Sequence, residues 1–126
     1  MLEFLIASIV MIVAVLSAFG SQLTSFQLIR TSQESKTALS DLQAAMEQLL
    51  LLRLDELPIA GSPFEHESEI EAYAELHLQA EVMTVAYPGY VLGGAIPDPL
   101  PILLTVSWLD QKGRARELAL SSMRTR

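Results

Sequence analysis

The chain has 126 residues, enough for one domain or one small domain with an extended appendage, and 51% of them are hydrophobic. It contains no cysteine, which excludes a disulfide framework and thiolate chemistry. The net charge of −7 is unevenly placed. Residues 55–110 hold ten acidic and no basic side chains, whereas residues 112–126 hold five cations against Glu117 alone, and this balance argues against a general nucleic-acid binder.

The apolar excess sits at the amino end. Residues 4–29 carry no charge, and Arg30 is the first cation. At about 1.5 Å per residue that run reaches roughly 39 Å, longer than a hydrocarbon core of about 30 Å. A buried core helix of this kind would need more apolar partner surface than the remaining chain supplies. A secretory signal has a shorter apolar run, a basic segment ahead of it and a cleavage site behind it, and this sequence lacks that pattern. Membrane insertion is the expectation.

No proline precedes Pro58, and Gly20 is the only glycine before it. One helix is therefore expected over residues 1–54, on the order of 80 Å long, with residues 1–25 as its membrane or filament-core part. Its second half is amphipathic. Leu39, Leu42, Met46, Leu49 and Arg53 follow a three-then-four spacing, widened by Leu50, Leu54 and Leu57, with Glu34, Lys36, Asp41, Glu47 and Gln48 largely off the stripe.

Pro58, Gly61 and Pro63 end the helix and open a small β-rich head over residues 55–126. Residues 65–73 fit a short helix, a strand or an ordered loop. In residues 76–83, Leu76, Leu78, Ala80 and Val82 alternate with His77, Gln79, Glu81 and Met83, the period of a half-buried strand. Residues 87–101 read as an irregular connection. A strand over residues 102–109 places Ile102, Leu104, Val106 and Trp108 on one face. Asp110, Gln111, Lys112 and Gly113 form a hairpin turn, and residues 114–123 return with Leu118 and Leu120 on the same side. Three or four strands alone are marginally stable, so the helix stripe is the natural second layer. The expected fold is α+β: a long helix on a small antiparallel sheet, packed through Leu39, Leu42, Met46, Leu49 and Trp108.

His66 and His77 are the only histidines. Glu65, His66 and Glu67 are consecutive and cannot all face one point on a strand, so no metal site is expected. No nucleophile elbow, phosphate loop or zinc spacing occurs. No catalytic residue, cofactor or small-molecule substrate is expected, and the chain reads as a non-enzyme.

Glu3 is the one acid in the apolar segment. An unpaired carboxylate deep in a bilayer costs roughly 2.5–3.5 kcal/mol, whereas one at the interface near a helix N-terminus costs little. The start Met1-Leu2-Glu3-Phe4-Leu5-Ile6-Ala7 resembles that of type IV pilins and pseudopilins after the first two residues of their motif, which runs aromatic, small, two apolar residues, then glutamate. Aligning that glutamate on Glu3 places two residues and a leader ahead of Met1. The long helix and small head fit the same pattern. The segment from Thr105, Val106, Ser107 and Trp108 through Gly113 and Arg114 to Met123 is similar to the C-terminal hairpin of PilV-like minor pilins and GspI-like pseudopilins.

The resemblance implies a filament subunit of a type IV pilus or a type II secretion-like machine. Other pilins or pseudopilins, the membrane and, for the precursor, a prepilin peptidase would be its partners. Its place would be the bacterial inner membrane with a periplasmic head before assembly, and the filament afterwards. Glu3 would be the assembly residue, meeting the amino terminus of a neighbouring subunit. Leu2, Phe4, Leu5, Ile9, Ile12, Val13 and Leu16 would exchange lipid contacts for helix contacts, with Ala7, Ser8, Ala14, Ser17 and Ala18 allowing close approach. The acidic residues Glu65, Glu67, Glu69, Glu71 and Glu75 and the hairpin residues Lys112, Arg114 and Arg116 are expected to form complementary subunit surfaces. The competing expectation is a single-pass membrane adaptor or binding module with a small extracytoplasmic head. Arg30 and Lys36 follow the apolar run and would by charge favour a cytoplasmic head, unless a basic leader opposes them.

Overall fold

A computed structural model describes residues 1–70 and 77–125. Helix α1, Leu2–Leu51, is continuous, as expected of a stretch without proline. Four antiparallel strands follow in the spatial order of the sequence: β1 (Ser68–Glu69), β2 (Val82–Ala86), β3 (Leu100–Leu109) and β4 (Ala115–Arg124). The chain divides into two compact units, Met1–Gln33 and Glu34–Arg126. The boundary thus falls inside α1, and the second half of the helix belongs to the head, which was expected to begin at residue 55.

The α1 segment within the head packs on the sheet through Ala38, Leu42, Ala45, Met46 and Leu49, all buried. This face is turned from the one the leucines suggested. Leu39 is 39% exposed, Leu50 is also exposed, and the alanines take the inward positions. Hydrophobicity alone ranks leucine above alanine, so leucine spacing misplaces a face on which alanines also take buried positions. Asp41, expected off the stripe, is buried on it.

The helix ends three residues short of the expected boundary. Arg53 is extended at φ −69° and ψ 143°, and a short 3-10 turn, Leu54–Glu56, returns Leu54 and Leu57 to the core. Arg124, at the end of β4, donates from its guanidinium to the carbonyls of Leu52 at 2.6 Å and Leu49 at 3.4 Å. These carbonyls lie at the end of the helix, where intrahelical donors run out; Leu49 also accepts the Leu52 amide at 3.2 Å, and a cation there complements the helix dipole.

Strand β3 follows the expected pattern, with Ile102, Leu104, Val106 and Trp108 buried in alternation. Its register sets Leu104 opposite Leu120 and Val106 opposite Leu118. The turn between β3 and β4 closes through the Gly113 amide, which donates to the Asp110 carbonyl at 2.8 Å, with Gly113 at φ +70°.

The strand expected over residues 76–83 is corrected. Regular pairing begins only at Val82, and the inward residues of β2 are Met83 and Val85, with Val82 on the open face. Ahead of it the Glu81 carboxylate accepts the amides of His77 and Leu78, and Ala80 sits at φ +51°. This turn interrupts the alternation, and a one-residue change of phase exchanges the faces of a strand. Leu78 still packs on the core from outside the strand. Leu76 and residues 71–73 lie outside the described residues, whereas Ser68 and Glu69 form β1.

Candidate assembly site

Within Met1–Gln33, α1 is apolar on every side. Leu2, Phe4, Leu5, Ile9, Ile12, Val13 and Leu16 are each between 53% and 80% exposed. The helix is long and apolar enough to cross a membrane. Residues 4–29 contain fourteen Leu, Ile, Phe or Val residues. At about 0.3–0.6 kcal/mol each near a bilayer centre, they favour insertion by roughly 4–8 kcal/mol.

Four of the five hydroxyls in residues 4–29 turn back onto the helix. Ser8 donates to the Phe4 carbonyl at 2.9 Å, Ser17 to Val13 at 2.8 Å, Thr24 to Gly20 at 3.1 Å and Ser25 to Ser21 at 3.0 Å. A hydroxyl that bonds its own helix leaves no unmet donor toward lipid or a neighbouring helix. Glu3 lies in the first turn of α1. Its carboxylate pairs with no cation among the described residues. Ala7, Ser8, Ala14, Ser17 and Ala18 are also exposed.

In the head, Leu42, Met46, Leu49 and Trp108 share one apolar core, and Leu39 lies outside it. Three polar groupings there escaped the sequence reading. The buried Asp41 carboxylate meets His77 Nδ1 at 3.0 and 3.2 Å, a contact between α1 and the turn before β2. His66 Nδ1 accepts the Tyr87 amide at 3.1 Å, while Tyr87 donates its hydroxyl to the Phe64 carbonyl at 2.8 Å. Burial pushes the Tyr87 phenol well above its ordinary range.

Asp110 organises the hairpin. Its Oδ1 accepts the amides of Lys112 and Arg114, each at 2.9 Å. Its Oδ2 accepts from Arg114 Nε at 2.9 Å and lies 3.4 Å from Arg116 Nε. The Arg114 amide and guanidinium hold this carboxyl down at about 2, against burial that opposes them. Two of the three hairpin cations expected to face a partner thus lean on one carboxylate of their own chain. The sequence places Asp110 at the start of the turn, and an aspartate there is the signal for the side-chain bonds that sequence reading did not assign.

No cluster of three potential ligands able to hold a metal ion occurs among the described residues. His66 and His77 make separate contacts and do not converge. Of the acidic residues expected to form a partner surface, Glu67 and Glu69 are exposed. Glu65 is half-buried and accepts the Gly61 amide, and Glu71 and Glu75 lie outside the described residues. No family model, curated protein or solved structure matches the chain.

Proposed function

We propose that the chain is a structural subunit of a type IV pilin-like filament, a minor pilin or pseudopilin, held in the inner membrane by the first half of α1 and assembled through that same half. The observation that carries the reading is one helix with two surroundings. Residues 4–29 are uncharged and exposed on all sides, while Ala38, Leu42, Ala45, Met46 and Leu49 are buried in a small α+β head. A surface apolar all round suits lipid before assembly and a bundle of like helices afterwards.

Glu3 supports the choice of a bundle. Its carboxylate, which costs little at an interface, would need a cation of a neighbouring subunit once drawn into a helix bundle. Such a pair selects register more than it adds stability. The head would then lie in the periplasm, and its surface would choose the neighbours.

The test is Glu3→Ala in the native host, with membrane fractions and sheared filaments probed separately. The expected result is normal membrane insertion with reduced incorporation into filaments. Normal incorporation of the stable variant would remove the assembly role. A second reading, a single-pass membrane adaptor, draws on Arg30 and Lys36 directly after the apolar run. Labelling of a cysteine placed in the head from the cytoplasmic side alone would favour it.

A further inference from the structure

Contacts at its two ends fix the direction of the head. Arg124, the last residue of β4, donates to the carbonyls of Leu49 and Leu52 at the end of α1. At the other end Asp41 meets His77, and the Gln79 carbonyl takes the Leu109 amide at 3.0 Å. The ten residues of β4 cover about 30 Å at about 3.3 Å each, close to the roughly 26 Å that residues 34–51 of α1 cover. The turn at residues 110–113 therefore lies at the end where α1 enters the head, at Glu34.

Exposed cations collect at this end. Lys36 and Lys112 are exposed, and the Arg114 and Arg116 side chains are 56% and 41% exposed. Residues 54–111 hold no Lys or Arg at all. The nearby carboxylates of Asp41, Glu81 and Asp110 are buried and take donors of their own chain, which leaves Glu34 and Glu117 as the acids at the surface. Leu109, 37% exposed, pairs with Ala115 beside the cations.

We propose that this end of the head rests on anionic phospholipid headgroups, with Lys112, Arg114 and Arg116 reaching toward the phosphate oxygens. The inference rests on the membrane anchor of the proposed function and not on filament assembly. Four residues separate the uncharged run, ending at Ile29, from Glu34. A tether that short holds the turn at a high effective concentration of headgroups, so contacts too weak to capture a free head suffice. Long aliphatic stems carry the Lys and Arg charges outward, whereas the buried carboxylates stay behind their donors. An anionic surface attracts each such cation, and the attraction fades within a Debye length.

The test places one probe at each end of β4 in the full-length chain, which has no cysteine of its own. Ala115→Cys and Thr125→Cys, both at exposed positions, carry a small fluorophore and are reconstituted in vesicles containing headgroup spin labels. The vesicles are phosphatidylcholine alone, or phosphatidylcholine and phosphatidylglycerol at about two to one. Headgroup quenching at residue 115 should rise about two- to fivefold with phosphatidylglycerol and fall back in about 0.5 M salt, while residue 125 stays unchanged. Lys112→Glu together with Arg116→Glu should remove the rise, with the Trp108 emission of the unlabelled variant showing that the head stays folded.

Equal quenching at residue 115 in the two kinds of vesicle, or a matching rise at residue 125, would overturn the inference. A rise that needs dense protein and vanishes on dilution in lipid would assign the turn to another copy, and would overturn it too. An Ala14→Cys probe tests the anchor separately, with spin labels on the acyl chains. Quenching there without a response at residue 115 refutes the headgroup contact alone, and no quenching there refutes the anchor and the contact with it.

Discussion

Leu42 and Leu39 separate the observed helix face from the one that leucine spacing suggests. Leu42 is fully buried against the sheet, whereas Leu39 is 39% exposed. Truncating a fully buried leucine to alanine costs about 2.7–5 kcal/mol, because the lost transfer energy adds to the cavity left behind. A partly exposed leucine at a surface position changes stability by less than about 1 kcal/mol. Total stability for a unit the size of Glu34–Arg126 is on the order of 5–14 kcal/mol, so Leu42→Ala removes a large share of it.

The only tryptophan, Trp108, is 4% exposed in the same core, so its emission reports unfolding of the head and not of residues 2–33. Urea titration of the full chain in detergent micelles is the assay. With an m-value of about 1.5 kcal/mol per molar, a loss of about 3 kcal/mol lowers the midpoint by about 2 M. Leu39→Ala should shift it by less than about 0.7 M. Equal shifts for the two variants, or the larger shift at Leu39, would refute the assigned face.

The Asp110 carboxyl is held at about 2 in the fold, below its ordinary 3.8, so its contribution is complete above that ordinary value and is lost as pH falls through about 2. The stability gap between parent and Asp110→Asn, followed by Trp108 melting, should narrow between about pH 4 and pH 2, and a gap constant over that range contradicts this account. Arg124→Ala should cost about 1–2 kcal/mol by taking the guanidinium from the Leu52 carbonyl and leaving Leu49 the Leu52 amide alone, with faster amide exchange in the last turn of α1; unchanged exchange there would show that water serves as well. His77→Ala leaves the buried Asp41 carboxylate without its imidazole and should cost about 1–3 kcal/mol, with Asp41→Asn on the same background recovering part of the loss; no recovery would deny that the contact is electrostatic.

What the sequence made legible was long and periodic. The span of α1 follows from a stretch free of proline, and β3, its turn and β4 follow from unbroken alternation around a glycine at positive φ. The fine phase was not legible. Alanines at positions 38 and 45 are buried while leucines at 39 and 50 are exposed, a phase that ranking by hydrophobicity cannot give. The expected strand over residues 76–83 lost its phase to a Glu81 carboxylate that gathers two preceding amides, an arrangement alternation cannot register. Asp41 with His77, and Arg124 with Leu52, join residues far apart in the chain, and no local pattern announces them.

One helix therefore carries two kinds of surface without a break, one enclosed by the head and one apolar and exposed. Residues 38–49 spend their apolar face inside the head, where Asp41 also finds its imidazole partner. Residues 4–29 have no such enclosure, and four of their five hydroxyls bond back to the helix, as suits a low-dielectric setting. The head is thus built without drawing on the membrane-length segment, and that segment keeps its whole circumference for lipid or for other helices. An anchor that took part in the head's own core could not be withdrawn from one and packed into the other. Under the proposed function, keeping the two surfaces on separate lengths of α1 would let a single chain be a membrane protein first and a filament subunit afterwards.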